Sequence, residues 1–246
     1  MTCLCCGQLS HHPQSSRRTF LALGAAALAA PSIGAWPALA AEKKTSLTPD
    51  RALAILKEGN ENYMTDSPVR AVQGRERRLE IARGQTPFAT LVSCSDSRVP
   101  PELLFGRGLG ELFIIRNAGN TVDTTALGSI EYGVAELGVP LIVVMGHEAC
   151  GAVSAALSVV ENNTRFPGSL GQMIEPIIPA VLQAKSTLGS GDRAAFLDAA
   201  VRENARRVAA RLLVSGPIIG DAVRAGKLKI VAARYDFNDG KVDFFE

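Results

Sequence analysis

Beyond its first forty residues this chain holds one histidine, His147, two cysteines, Cys94 and Cys150, and no tryptophan; His11, His12, Cys3, Cys5, Cys6 and Trp36 all come earlier. A transition-metal site in the body of the chain therefore has to use all three of these soft donors. An excess of charge is missing as well. Setting Arg17 and Arg18 aside leaves 24 basic against 24 acidic side chains, because the first forty residues carry no acid. A neutral body offers no electrostatic footprint for nucleic acid or anionic lipid. Aromatic residues are 5% of the chain although 47% is hydrophobic, so the core is aliphatic. No internal repeat, no coiled-coil heptads and no apolar run long enough to span a bilayer follows residue 40.

The first forty residues read as an address. Arg17-Arg18 precedes an alanine-rich apolar run over 21–30, and Pro37-Ala38-Leu39-Ala40-Ala41 supplies a small-residue cleavage site. A twin-arginine start, an apolar stretch too short to cross a membrane and an Ala-x-Ala site are the parts of a cleavable bacterial export signal. The expected division is a signal over 1–40 and a catalytic domain over 41–246, with a periplasmic or secreted product and no stable membrane association after cleavage. The competing reading is an uncleaved amphipathic anchor. Cys3, Cys5, Cys6, His11 and His12 precede the arginines and leave with the signal. Twin-arginine export carries folded proteins, so a metal loaded beforehand would protect two cysteines from the oxidising periplasm.

The remainder alternates helices and strands. Thr48-Pro49-Asp50 places an N-cap, a first-turn proline and an acid at the start of a helix running to about Met64. A short basic helix follows near 75–83. Continuous apolar runs at 88–93, 112–116 and 141–145 suit parallel strands covered on both faces. Helices are expected at about 124–137, after Cys150, and over 192–214. Strands at 229–233 and 242–245 flank Asn238-Asp239-Gly240, a hairpin turn signal. The fold class is α/β: a single domain with a mostly parallel central sheet covered by helices, an antiparallel edge strand and an N-terminal helical arm.

The soft donors fall at strand ends, where open α/β sheets place ligands. Cys94 follows the run 88–93. If 94–98 stays extended, Asp96 and Arg98 share its face. His147 follows the run 141–145, with Gly146 placed to allow a sharp turn, and Cys150 opens the next helix, whose N-terminal end favours a thiolate. Two thiolates and an imidazole, with a fourth position left for water, form a catalytic zinc set. Zinc hydrolase or hydratase chemistry is the leading expectation.

Cys94-x-Asp96-Ser97-Arg98 together with His147-x-x-Cys150-Gly151 resembles the β-class carbonic anhydrases. Arg98-Val99-Pro100-Pro101-Glu102, Arg116-Asn117-Ala118-Gly119-Asn120, Ser129-Ile130-Glu131-Tyr132 and Tyr235-Asp236 occur in the family's order, from about Leu47 to Phe245. The resemblance implies reversible hydration of carbon dioxide to bicarbonate and a proton by a zinc-bound hydroxide, with Zn2+ on Cys94, His147 and Cys150. It also implies an obligate homodimer or higher even oligomer with the cleft at the subunit interface. Two thiolates cancel the formal charge of zinc, so the water should be less acidic than on three histidines, and activity should rise into mildly alkaline pH.

Asp96 is expected to accept the hydrogen bond that aims the hydroxide at carbon dioxide, and Arg98 to hold Asp96 ionised. A bare surface salt bridge is the bland reading of that pair. In the family this aspartate can also swing onto zinc and close the site. The branch that closes with bicarbonate carries a tryptophan where this chain has Leu91, which favours an open site. Arg116 and Tyr235 match the rest of that pocket, yet read equally well as a buried hydrogen-bonded pair. Glu148, between two ligands, is read as structural rather than as a general base. Asp123 and Glu131 are helix-start and helix-face residues. Gly106, Gly108 and Gly110 do not form a phosphate loop.

Two rival functions remain: hydrolysis of carbon disulfide or carbonyl sulfide on the same scaffold, and a non-catalytic zinc or thiol-redox role, which needs neither Asp96 nor Arg98. With His147 committed to metal, no histidine is left to shuttle the product proton. Carboxylates, a tyrosine, a water chain or buffer must carry it.

Overall fold

The computed structural model describes residues 44–67, 71–188 and 192–245. The signal expected over 1–40 lies outside the described residues, and none of the described helices is long and apolar enough to cross a membrane.

Helix α1, Pro49–Met64, begins where expected. Thr48 is its N-cap and its hydroxyl accepts from the Arg51 N–H, which satisfies one of the first-turn donors. Helix α2, Arg75–Glu80, is shorter than the basic run because residues 81–83 form turns. Strand β1 is Ala89–Ser93, α3 is Pro101–Leu104 and β2 is Leu112–Arg116. A 3₁₀ turn, Ala118–Asn120, leads to α4, Thr124–Ala135, whose first turn is capped by the Asp123 carboxylate accepting from the Ala126 N–H at 2.8 Å. Strand β3 is Leu141–His147 and α5 is Gly151–Asn162.

Between α5 and the long helix the chain forms α6, Ser169–Ile174, a 3₁₀ turn, and α7, Ile178–Leu188. Pro176 and Pro179 hide these helices in the sequence, because each sits at a helix start, where proline is tolerated, and not in a helix interior. Helix α8, Arg193–Leu213, matches the expected 192–214 span, with Asp192 as its N-cap. Helix α9, Pro217–Arg224, follows the Ser215-Gly216-Pro217 break. Strand β4, Lys229–Tyr235, and β5, Val242–Phe245, close the sheet.

The sheet runs β2-β1-β3-β4-β5, parallel throughout except for the antiparallel β4–β5 pair at the edge. All five residues of β1 and all seven of β3 are buried, as expected for strands with helices on both faces. One core packs Leu53 and Leu56 of α1 against Leu91, Val143 and Val231. The opposite core packs Ile130 of α4, Val208 and Leu212 of α8 and Ile219 of α9 against Val92, Ile142 and Val144. Strand order reverses at β1: β2 lies on one side and β3, then β4, on the other. Ligands of such sheets bind outside the carboxyl ends at this switch point, between Ser93 and His147.

Candidate metal centre

Three local devices bring the soft donors to one point. Cys94 is the first residue past β1, His147 is the last residue of β3, and Cys150 is the N-cap of α5. Parallel pairing of Ser93 with Met145 sets the end of β1 two residues short of His147. The turn expected at Gly146 lies instead at Glu148–Ala149, where Ala149 takes φ 51°, an uncommon conformation for a residue with a side chain. Gly146 stays in the strand and serves a different purpose. A Cβ there would come within 2.8 Å of Val201 Cγ1, so glycine lets α8 press directly against the strand beside the ligand.

The ligand atoms of Cys94, His147 and Cys150 lie within 4.8 Å of one another, and all three residues are buried. His147 Nδ1 is 2.8 Å from the Glu148 carbonyl oxygen. That bond makes Nδ1 the donor and leaves Nε2 as a buried acceptor with no hydrogen-bond partner among the described residues. A buried nitrogen without a partner is costly, and a metal ion removes the cost. The Gly119 N–H donates to Cys94 Sγ at 3.2 Å. Gly119 takes φ 69°, and a Cβ there would meet Ile177 Cδ1 at 2.6 Å. Asn204 of α8 fixes this amide from behind, its Nδ2 donating to the Gly119 carbonyl at 2.9 Å.

The hydrogen bond from Cys150 draws the Cys94 thiol down to about 4 against the opposing effect of burial, with His147 and the Gly119 N–H adding to the effect. Cys150 is pushed up by the same pairing and by burial. A coordinating cation reverses the second shift, since a metal-bound thiol is deprotonated outright. Two sulfurs and one imidazole nitrogen thus fit zinc in donor type, burial and tautomer.

Asp96 and Arg98 lie beside this cluster, though not by the route the sequence implied. The segment does not stay extended: it turns at Ser97–Arg98, with the Val99 N–H donating to the Asp96 carbonyl at 3.0 Å. Within the turn, Asp96 Oδ1 accepts from the Arg98 backbone N–H at 2.9 Å and from Nε at 3.0 Å, and Oδ2 accepts from Nη2 at 2.8 Å. This fork holds the Asp96 carboxyl well below the usual carboxylate range and keeps it an acceptor. Asp96 Oδ2 is 3.9 Å from His147 Nε2. The Arg98 guanidinium carbon stands 4.3 Å over the Phe237 ring, and that ring is 5.6 Å from the His147 ring.

Other candidates take structural places. Glu148 is bound to the turn after β4: its Oε2 accepts from the Phe237 N–H at 3.0 Å and its Oε1 from Asn238 Nδ2 at 3.2 Å. The Arg116–Tyr235 bond does not form, because β1 and β3 stand between their strands. Arg116 Nε and Nη2 instead donate to the Cys94 and Asp96 carbonyls at 2.9 and 2.6 Å, while the Tyr235 hydroxyl pairs with that of Tyr63 at 3.3 Å. Gly108 packs against the Val72 backbone, where a Cβ would sit 2.4 Å from a carbonyl oxygen. Two grooves of about 440 and 490 Å³ border α8, but none of their lining residues belongs to the ligand cluster. Donor chemistry marks this site, and groove volume does not. The sequence alone does not single out Phe237 or Asn204.

The sequence profile of the carbonic anhydrase family matches residues 89–242. Carbonic anhydrase 2 of Mycobacterium tuberculosis is 38% identical over 193 residues, covering 78% of this chain and 91% of that protein. The carbonic anhydrase of Mycolicibacterium smegmatis is 37% identical, covering 79% and 92%. Among solved structures, the Coccomyxa β-carbonic anhydrase in complex with acetazolamide superposes with TM-score 0.62 at 27% identity, covering 81% of this chain and 86% of that one. One of two tetrameric β-carbonic anhydrases from Sordaria macrospora gives 0.63 at 28%, covering 68% and 84%. A buried Cys-His-Cys cluster at the switch point of such a sheet, in a sequence with these relatives, has one explanation: the chain belongs to the β-class carbonic anhydrase family and is a zinc enzyme.

Proposed function

We propose that Cys94, His147 and Cys150 hold the zinc, that Asp96 orients the attacking oxygen and that Arg98 keeps Asp96 ionised, in the reversible hydration of carbon dioxide to bicarbonate and a proton. The observation that carries this assignment is the Asp96 carboxylate, clamped by Arg98 and 3.9 Å from His147 Nε2. When bound, zinc supplies Lewis acidity that brings the pKa of a water in its remaining position toward neutrality. Asp96, ionised and therefore acceptor-only, would accept a hydrogen bond from the attacking water and so fix its orientation toward the substrate carbon. Arg98 preserves the ionised form. Cys94 and Cys150 as thiolates cancel the formal charge of the ion, so activity rises on the mildly alkaline side of neutral.

Both Asp96 oxygens are committed to Arg98, which supports an open zinc position over one closed by Asp96; Leu91 in place of the closing branch's tryptophan supports the same. The working unit is an obligate dimer or a higher even oligomer with α1 as the arm, in keeping with the tetrameric Sordaria macrospora relatives. Export follows the twin-arginine route, with residues 1–40 removed and the catalytic domain, 41–246, acting in the periplasm or outside the cell.

The test is zinc content together with stopped-flow carbon dioxide hydration on the chain starting at Ala41. About one zinc per chain and rapid hydration are expected. Zinc-loaded protein that turns over carbon disulfide or carbonyl sulfide but not carbon dioxide would transfer the assignment to the rival substrates.

A further inference from the structure

Asp96 and Arg98 hold each other firmly, yet a bidentate fork between residues two apart fixes the pair only internally. The Arg98 side chain is 55% exposed and the Asp96 side chain 19%, and Arg116 restrains only the backbone carbonyls beneath them. Something else has to keep the guanidinium from carrying the carboxylate away from His147. The Phe237 ring meets that need. It lies under the guanidinium at 4.3 Å and beside the His147 ring at 5.6 Å, with Tyr235 edge-on against it at 5.3 Å. A cation over an aromatic face is attracted by the ring quadrupole, whereas an aliphatic side chain of the same size offers contact alone.

The turn that carries the ring is itself held from two directions. Glu148, one residue from the ligand His147, accepts from the Phe237 N–H and from the Asn238 side chain, and its own N–H donates to the Tyr235 carbonyl at 2.9 Å. On the other flank the buried Asn60 of α1 donates to the Gly240 carbonyl at 2.9 Å and accepts from the Val242 N–H at 2.8 Å. The 236–240 turn is therefore a clamped shelf.

We propose that Phe237 is a positioning residue for hydration: its ring is the platform on which Arg98 rests, and Glu148 is the anchor that ties this platform to the His147 loop. Residues 141 positions apart in sequence, Asp96 to Phe237, thus bracket one rigid unit in which the histidine ligand, the ring, the guanidinium and the orienting carboxylate keep a fixed relation. The inference rests on the proposed roles of Asp96 and Arg98.

The test is a double-mutant cycle on the zinc-loaded protein, reading kcat/KM for carbon dioxide in concentrated buffer, zinc content, and the Nε–H NMR signal of Arg98, identified by its loss in Arg98→Lys. Phe237→Leu keeps an apolar side chain and removes the ring face. It should keep its zinc, lose about two- to five-fold in kcat/KM, the range a partly solvated cation–π contact supports, and lose the ring-current shift on Arg98. Phe237→Tyr should recover both readouts. In an Arg98→Ala background Phe237→Leu should cost nothing more. An equal loss in both backgrounds, or an unchanged Arg98 signal in Phe237→Leu, overturns the platform while leaving the Asp96–Arg98 pair intact. Full activity of Arg98→Ala overturns the pair, and the platform with it.

Discussion

The two halves of the active site are built to different standards of rigidity. Cys94, His147 and Cys150 are buried at the ends of fully buried strands and at a helix N-terminus. Asp96 and Arg98 stand at the rim in an irregular turn, with the Arg98 side chain about half-exposed. On the proposed assignment the metal grip is a property of the sheet, and the orientation of the reacting oxygen is a property of a rim that has to be braced. Binding and chemistry should accordingly fail separately.

The largest break in that comparison comes from the grip. Replacing Cys94, His147 or Cys150 by alanine should lower bound zinc at least about tenfold and take hydration down with it, because two protein donors do not hold the ion. The fold should survive, since β3 alone buries Leu141, Ile142, Val143, Val144 and Met145, each stabilising by about 1.5–3 kcal/mol. Metal analysis with circular dichroism checks both halves of this expectation.

Next in size is the rim. Asp96→Asn preserves shape but loses the acceptor-only, charged partner, so turnover should fall roughly 10²-fold while zinc stays. Stopped-flow assays paired with metal analysis of the same sample decide it.

A several-fold effect belongs to the proton. With His147 held by metal, turnover at saturating carbon dioxide should climb with buffer concentration at fixed pH and ionic strength. A fast turnover indifferent to buffer would reveal a relay without histidine.

The smallest effect concerns the shelf behind the rim. Arg234, packed beside Asp236, holds the Asp236 carboxyl down to about 2 from 3.8, helped by the Asn238 N–H. A carboxyl depressed by folding adds stability above its unfolded value and loses it as pH falls through the folded one. Asp236→Asn should therefore cost at most about 2 kcal/mol at neutral pH. The gap to the unmutated protein should close between pH about 4 and about 2. Thermal melts of both chains across that range test the sign, and loss of zinc in acid affects the two alike.

The grip was far more legible in the sequence than the rim. One histidine and two cysteines leave a single ligand set, and apolar runs ahead of Cys94 and His147 put them at strand ends. The helix Pro49–Met64 announced itself through its cap, and the long helix Arg193–Leu213 was expected over nearly its full span. What stayed hidden depended on tertiary contact. Local pattern gave no sign that Gly146 yields to Val201, that Ala149 takes the turn, or that Arg116 and Tyr235 stand apart across β1 and β3. Phe237 reads as one more apolar residue near a hairpin until Arg98 is seen lying across it.

The separation of grip from rim is tested most directly by zinc X-ray absorption on the unmutated protein and on Asp96→Asn, read beside their turnover. The prediction is the same shell in both, two sulfurs at about 2.3 Å and one imidazole nitrogen at about 2.0–2.1 Å, with hydration lost only in the variant. A sulfur or nitrogen shell that changes with Asp96, or hydration that does not, would contradict the account.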